Sequence, residues 1–201
     1  MMEEDITRAA KAYLARGWVP IALGPDQSGR PKKPVAPGWQ KLTVNSPKVR
    51  TQGWSRASGV GILCGEASGN LAVIDIDDAG LAAAVFARLA RSHRPFRWVW
   101  TVRGRGHLYV REEESGPGIF RTVRFEGREV NIELRRNGQQ VAAPPTPGYV
   151  LAREAEPTPC RSVLDVFEAL CRSFGLEAAD HGGGHSAGSG YPSPWQETVP
   201  E

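Results

Sequence analysis

Asp75-Ile76-Asp77, His107 and Glu133 each stand at the edge of an apolar, strand-like run. Leu71-Ala72-Val73-Ile74 leads into the two aspartates, and the two-residue period of a strand turns Asp75 and Asp77 to the same side of a sheet. Two carboxylates held that close resist ionising together unless a cation lies between them. Glu133 ends a second alternating run, Val130-Asn131-Ile132, and supplies a third carboxylate. An oxygen-only donor set of this kind suits one or two Mg²⁺ or Mn²⁺ ions, and such sites serve phosphoryl transfer.

That chemistry assigns roles to the neighbours. A nucleoside triphosphate brings about four negative charges that must be neutralised while its reacting oxygens are aligned. Asp75, Asp77 and Glu133 take the metal and catalytic roles. His107, the turn Gly104-Arg105-Gly106, Arg135 (two residues past Glu133 on the same strand) and Lys33, beside Lys32 in a polar loop, take the nucleotide. Arg103, Arg121 and Arg124 crowd the same stretch, and the guanidinium fork suits phosphate oxygens. With Trp39, a loop aromatic able to stack on a base, they are the candidates for nucleic-acid contact.

Each piece also has a plainer explanation. Asp77-Asp78-Ala79 can cap a following helix, which accounts for one aspartate but not for the strand-borne Asp75. His107 can be a satisfied histidine at a strand end, and Glu133 can pair with Arg135 as a surface ion pair. These explanations must all hold at once to dismiss the site. His181 and His185 have ligand-like spacing, but they sit among glycines where no backbone fixes their geometry.

The elements that must position these residues follow from periodicity. Ile6 to Ala15 has helical spacing, and Trp18 to Leu23 reads as a strand followed by a polar loop from Gly24 to Lys33. Val60 to Leu63 reads as a buried strand with Leu71 to Asp77 as its neighbour. Ala79 to Arg91 and Arg161 to Phe174 read as amphipathic helices. The second half is otherwise strands: Phe96 to Val102, His107 to Arg111, Phe120 to Phe125, Glu129 to Leu134, Gln140 to Ala143 and Tyr149 to Ala152. Strands with few helices between them predict an α+β domain with a mainly antiparallel sheet.

The chain has 201 residues, 40% hydrophobic and 23% charged, which suffices for one domain with a real core. Residues 1–176 are expected to form it, and 177–201 to be a Gly/Ser/Pro-rich linker or tail. A net charge of +3 is compatible with nucleic acid without arguing for it. Three scattered cysteines, 64, 160 and 171, predict reduced thiols rather than a disulfide framework or structural zinc. The absence of a long apolar stretch and the acidic start predict a cytoplasmic protein without a membrane partner.

The ordered set of motifs resembles the bifunctional DNA primase/polymerase (prim-pol) N-terminal domain of the archaeo-eukaryotic primase superfamily. It runs from Tyr13-x-x-x-Gly17-Trp18-x-Pro20 through Lys32-Lys33-Pro34, Gly38-Trp39 and Gly53-Trp54 to Gly59-Val60-Gly61-Ile62. Val73-Ile74-Asp75-Ile76-Asp77, Arg103-Gly104-Arg105-Gly106-His107 and Val130-Asn131-Ile132-Glu133-Leu134-Arg135 form its centre, and Val141 to Tyr149 completes it. The resemblance implies an N-terminal α/β unit packed on an RRM-like palm sheet. It also implies template-directed nucleotidyl transfer, with a single-stranded template or primer-template, dNTP and sometimes NTP as substrates. A helicase or accessory helical domain is the implied partner after the linker, and a plasmid, phage or mobile element the implied setting. Family members usually carry aspartate as the third carboxylate, and glutamate stands there in this chain. A module that binds nucleotide or single strands without polymerising, or a metal-dependent nuclease on the same carboxylates, are the alternatives.

Overall fold

The computed structural model describes residues 2–179. His181, His185 and nearly all of the expected tail lie outside the described residues. Helix α1 (Met2–Ala15) leads into β1 (Val19–Pro25) and β2 (Pro31–Pro34), then β3 (Gly59–Leu63) and β4 (Leu71–Ile76). Helix α2 (Ala79–Arg91) precedes β5 (Arg97–Trp100), β6 (Gly106–Glu112), β7 (Ile119–Phe125), β8 (Arg128–Arg135), β9 (Gln140–Ala143), β10 (Val150–Arg153) and β11 (Thr158–Cys160). Helix α3 (Val163–Phe174) and β12 (Glu177–Ala178) close the described chain. Among the described residues no helix is long and apolar enough to cross a membrane.

The strands form two sheets. β2-β1-β3-β9 makes a small antiparallel sheet, and β10-β5-β6-β4-β8-β7-β12 a large one in which only β11, against β6, runs parallel. The result is a mixed α/β architecture with antiparallel sheets and few helices. Alternation builds the large sheet into a central layer with two different faces. Ala72, Ile74, Ile76, Trp98, Leu108, Ile132 and Leu134 lie in one core, with Leu81, Val85 and Leu89 of α2 and Val163, Val166 and Leu170 of α3. Val73, Val99 and Tyr109 point the other way, into a second core with Ile6 and Tyr13 of α1, Trp18, and Ile21, Leu23, Val60 and Ile62 of the small sheet.

Aromatic contacts fix the N-terminal unit over that second face. Trp18 stacks on Tyr13 and on Tyr109, with ring centroids 5.8 and 6.0 Å away, and the Arg97 guanidinium lies 5.1 Å from the Trp18 ring centroid. Local signals set the ends of elements. Asp78 caps α2 by accepting from Leu81 N at 2.8 Å, and Ser162 caps α3 by accepting from Leu164 N at 3.2 Å. Glu126 and Gly127 both have positive φ, 50° and 77°, which gives the β7–β8 hairpin a turn matched to strand twist.

Three expectations change. β3 and β4 are not sheet neighbours: β3 pairs β1 and β9, whereas β4 pairs β6 and β8 at the centre of the large sheet. The two runs have the same composition because both are buried on both faces, and composition cannot say in which sheet. The polar loop ends earlier than Lys33, since Pro31–Pro34 pairs with β1 as an edge strand. The first residues of the expected tail are also structured, because Glu177–Ala178 extends the large sheet beyond β7.

Candidate active site

β4 lies between β6 and β8, and its register places Asp75 opposite His107 on one side and opposite Glu133 on the other. Residues opposite one another across neighbouring strands share a face, so the three candidates form one rung. The rung continues through β6 to Val99 and Leu151, and through β8 to Phe120. Asp77 follows the end of β4 with its amide still donating to Asn131 O at 3.1 Å, which keeps it beside the same face. Asp78, not Asp77, is the helix cap. Capping and site residue are therefore separate aspartates.

Each carboxylate already has a cationic neighbour. His107 Nε2 lies 3.3 Å from Asp75 Oδ1. Arg135 Nη2 lies 2.8 Å from Glu133 Oε2 and 3.6 Å from Asp75 Oδ2. Arg105 Nη1 donates to Asp77 Oδ1 at 2.9 Å. The His107 side chain is only 4% exposed, and its buried Nδ1 has no hydrogen-bond partner among the described residues. The Tyr149 ring centroid stands 5.8 Å from that of His107.

Burial and charge push the two facing carboxylates in opposite directions. Burial raises Asp75, but the His107 charge and hydrogen bond, then Arg135 and Lys32, outweigh it and hold its carboxyl below the ordinary range. Glu133 is raised, first by burial and then by the negative charges of Asp75 and Asp77, against the pull of Arg135 and Lys32. Tyr149 is pushed up to about 12, chiefly by burial and then by Asp75.

Carboxylate oxygens are the donors that a hard divalent cation takes. Three carboxylates share one region of one face, and Glu133 is raised by burial first and then by the charges of the other two. As they stand, the side chains are turned to arginine and histidine, and among the described residues no three Asp, Glu, His or Cys side chains form a ready cation-holding group.

The remaining sequence candidates separate by geometry. Gly106 must be glycine, because a Cβ there would lie 2.1 Å from the Trp98 ring. Gly104, with φ of 73°, packs its turn against Ala79 at the start of α2, and Arg103 is exposed at the tip. Of the two lysines, both exposed on β2, Lys32 is the one whose charge acts on Asp75 and Glu133. Arg124 shares the face of Phe120 and Glu133. Arg121, by contrast, falls in step with Val123 and Phe125 of the helix-covered core. Trp39 packs against the N-terminal core instead of standing free. Sequence reasoning passed over Tyr149 as a site residue, although its place directly after the Pro144-to-Gly148 turn was visible.

A family model described as bifunctional DNA primase/polymerase, N-terminal, matches residues 10–161, well over half of the chain and every member of the rung. No curated protein matches it.

Proposed function

The chain belongs to the bifunctional DNA primase/polymerase N-terminal family, and we propose that it catalyses template-directed nucleotidyl transfer on the rung His107–Asp75–Glu133. Membership carries the coarser statement, DNA primase/polymerase chemistry acting on DNA and nucleotides. The single observation that supports the finer one is that register: three adjacent strands present an imidazole and two carboxylates side by side. In this reading the two sheets form the archaeo-eukaryotic primase architecture, with the large sheet as an RRM-like palm.

Asp75, Asp77 and Glu133 would hold one or two Mg²⁺ or Mn²⁺ ions. A divalent ion bound there supplies charge neutralisation for the triphosphate and for the reacting oxygens. The chain's own cations then have a second task. Arg135 and Arg105, released from the carboxylates, are close enough to turn toward phosphate oxygens, and Lys32 adds charge from β2. The turn Gly104-Arg105-Gly106 offers backbone amides at the end of the same face. His107 is oriented by Asp75 and walled by Tyr149, so its ring can move little and holds one phosphate position.

Primer extension tests the reading. The protein, Mn²⁺, labelled nucleotides and a primed single-stranded template should give extended product, and the double variant Asp75→Ala with Asp77→Ala should give none. Product that persists in the double variant defeats the assignment. The pairing of all three carboxylates with arginine side chains favours one second reading, a module that binds nucleotide or single strands without extending them. It predicts nucleotide binding by calorimetry with no extension under either metal. A nuclease on the same carboxylates would instead degrade single-stranded DNA without added nucleotide.

A further inference from the structure

Among the described residues, the rung that carries His107, Asp75 and Glu133 runs as far as Phe120 of β7, with β12 paired beyond it at Val123 and Arg124. At about 4.8 Å per strand, the Phe120 backbone lies roughly 10 Å from that of Asp75. The two sides of the rung differ. Toward β6, β5 and β10, the face is roofed by the N-terminal core, into which Tyr109, Val99 and Leu151 pack. Toward β8 and β7 it is open: Asn131, Phe120 and Arg124 are exposed. Among the described residues, the uncovered approach to the carboxylates runs over β7 and β8.

Phe120 is 55% exposed, one of two large apolar side chains so exposed among the described residues. No core claims it, since Ile119, Val123 and Phe125 of the same strand pack on the opposite face. Thr122 Oγ1 donates to Asn131 Oδ1 at 3.1 Å between the ring and Arg124, so that stretch of the face is polar. Arg124 lies four residues along from Phe120 on the same face, about 13 Å away; it stands in register with Glu129 of β8 and Glu177 of β12 but forms no ion pair among the described residues. An open aromatic ring and an unpaired guanidinium on one strand face, leading to a carboxylate rung, match the chemistry of a single nucleic-acid strand: π-faces to stack and phosphates to neutralise.

We propose that Phe120 is a stacking platform for a base of single-stranded DNA that crosses β7 and β8 to the site, with Arg124 contacting its backbone. The inference rests on the nucleotidyl-transfer reading for the identity of the strand, and its test is separable from that reading.

The full chain is titrated with a fluorescently labelled thymidine oligonucleotide and with an abasic oligonucleotide of equal length, by fluorescence anisotropy. Phe120→Ala should weaken thymidine-strand binding about tenfold and leave the abasic strand unchanged, while Phe120→Trp keeps the thymidine affinity. Arg124→Gln should weaken both strands and flatten the dependence of log affinity on log salt by about 0.7. Calorimetry with dNTP and Mn²⁺ should give the same nucleotide affinity in Phe120→Ala as in the parent. Unchanged thymidine binding in Phe120→Ala, or an equal loss on both strands, overturns the proposal. A loss confined to nucleotide binding also overturns it, assigning the ring to the incoming base. Should the parent chain extend no primer while Phe120→Ala still loses its thymidine affinity, the enzymatic reading fails and the platform stands.

Discussion

Arg135, two residues beyond Glu133 on β8, brings its Nη2 to within 2.8 Å of the Glu133 carboxylate and 3.6 Å of Asp75 Oδ2. One guanidinium thus bridges two carboxylates that face each other across β4 and β8, and offsets one of their two negative charges. It acts there as their counter-ion, the role that the proposed function gives to a divalent metal.

Arg135→Gln should accordingly destabilise the metal-free protein by about 1–2 kcal/mol, between the values for exposed and buried pairs. Mn²⁺ should then stabilise the variant more than the parent, because the carboxylates have lost their internal cation. Urea unfolding with EDTA and with Mn²⁺ measures both. Identical Mn²⁺ effects would show that guanidinium and metal do not compete.

Glu133→Gln keeps the shape of the third carboxylate and removes its charge. It should lower primer extension about a hundredfold, the equivalent of about 3 kcal/mol of lost charge stabilisation. Glu133→Asp retains the charge on a shorter stem and should fall between the two. Single-turnover extension rates under Mg²⁺ and Mn²⁺ order the three proteins.

Away from the site, Glu112 and Arg136 form a two-pronged ion pair, Nε to Oε2 and Nη2 to Oε1, each at 2.9 Å, with the Glu112 side chain fully buried. Glu112 also accepts from Val163 N at 2.9 Å, which ties the start of α3 to β6. Arg136→Met strands a buried carboxylate and should cost about 3–5 kcal/mol, and Glu112→Gln with Arg136→Met should recover part of it. Denaturation midpoints of the single and double variants check this.

Tyr13 donates to Pro144 O at 2.6 Å and its phenol is pushed up to about 12 by burial, against the pull of Arg97 and Arg16. Between its ordinary value near 10 and about 12, the folded state holds a proton that the unfolded state has released, so stability falls as pH rises through that window. Tyr13→Phe should cost about 1 kcal/mol at neutral pH and shallow the alkaline decline. Tyr109 and Tyr149 are raised in the same direction, so the slope shrinks without vanishing. Urea unfolding across pH 9 to 12 gives both numbers.

The periodic runs made much of this legible. Strand alternation placed Asp75 and Asp77 on one side of β4, and helical spacing marked Ala79–Arg91 as α2 and most of α3. The buried pairing of Glu112 with Arg136 left no trace in any local pattern, because its partners are 24 residues apart and meet only when β6, β8 and α3 pack.

What the sequence determined by itself was which side chains share a strand face, since that follows from the backbone's two-residue period alone. Only the tertiary structure decided which strand lies beside which. It sent β3 and β4, alike in composition, to different sheets, and it aligned His107, Asp75, Glu133 and Phe120 in one rung. It also roofed one half of that rung and left the other open. Register between distant strands is fixed by how two cores pack on opposite faces of a sheet, and that is a property of the whole chain rather than of any segment.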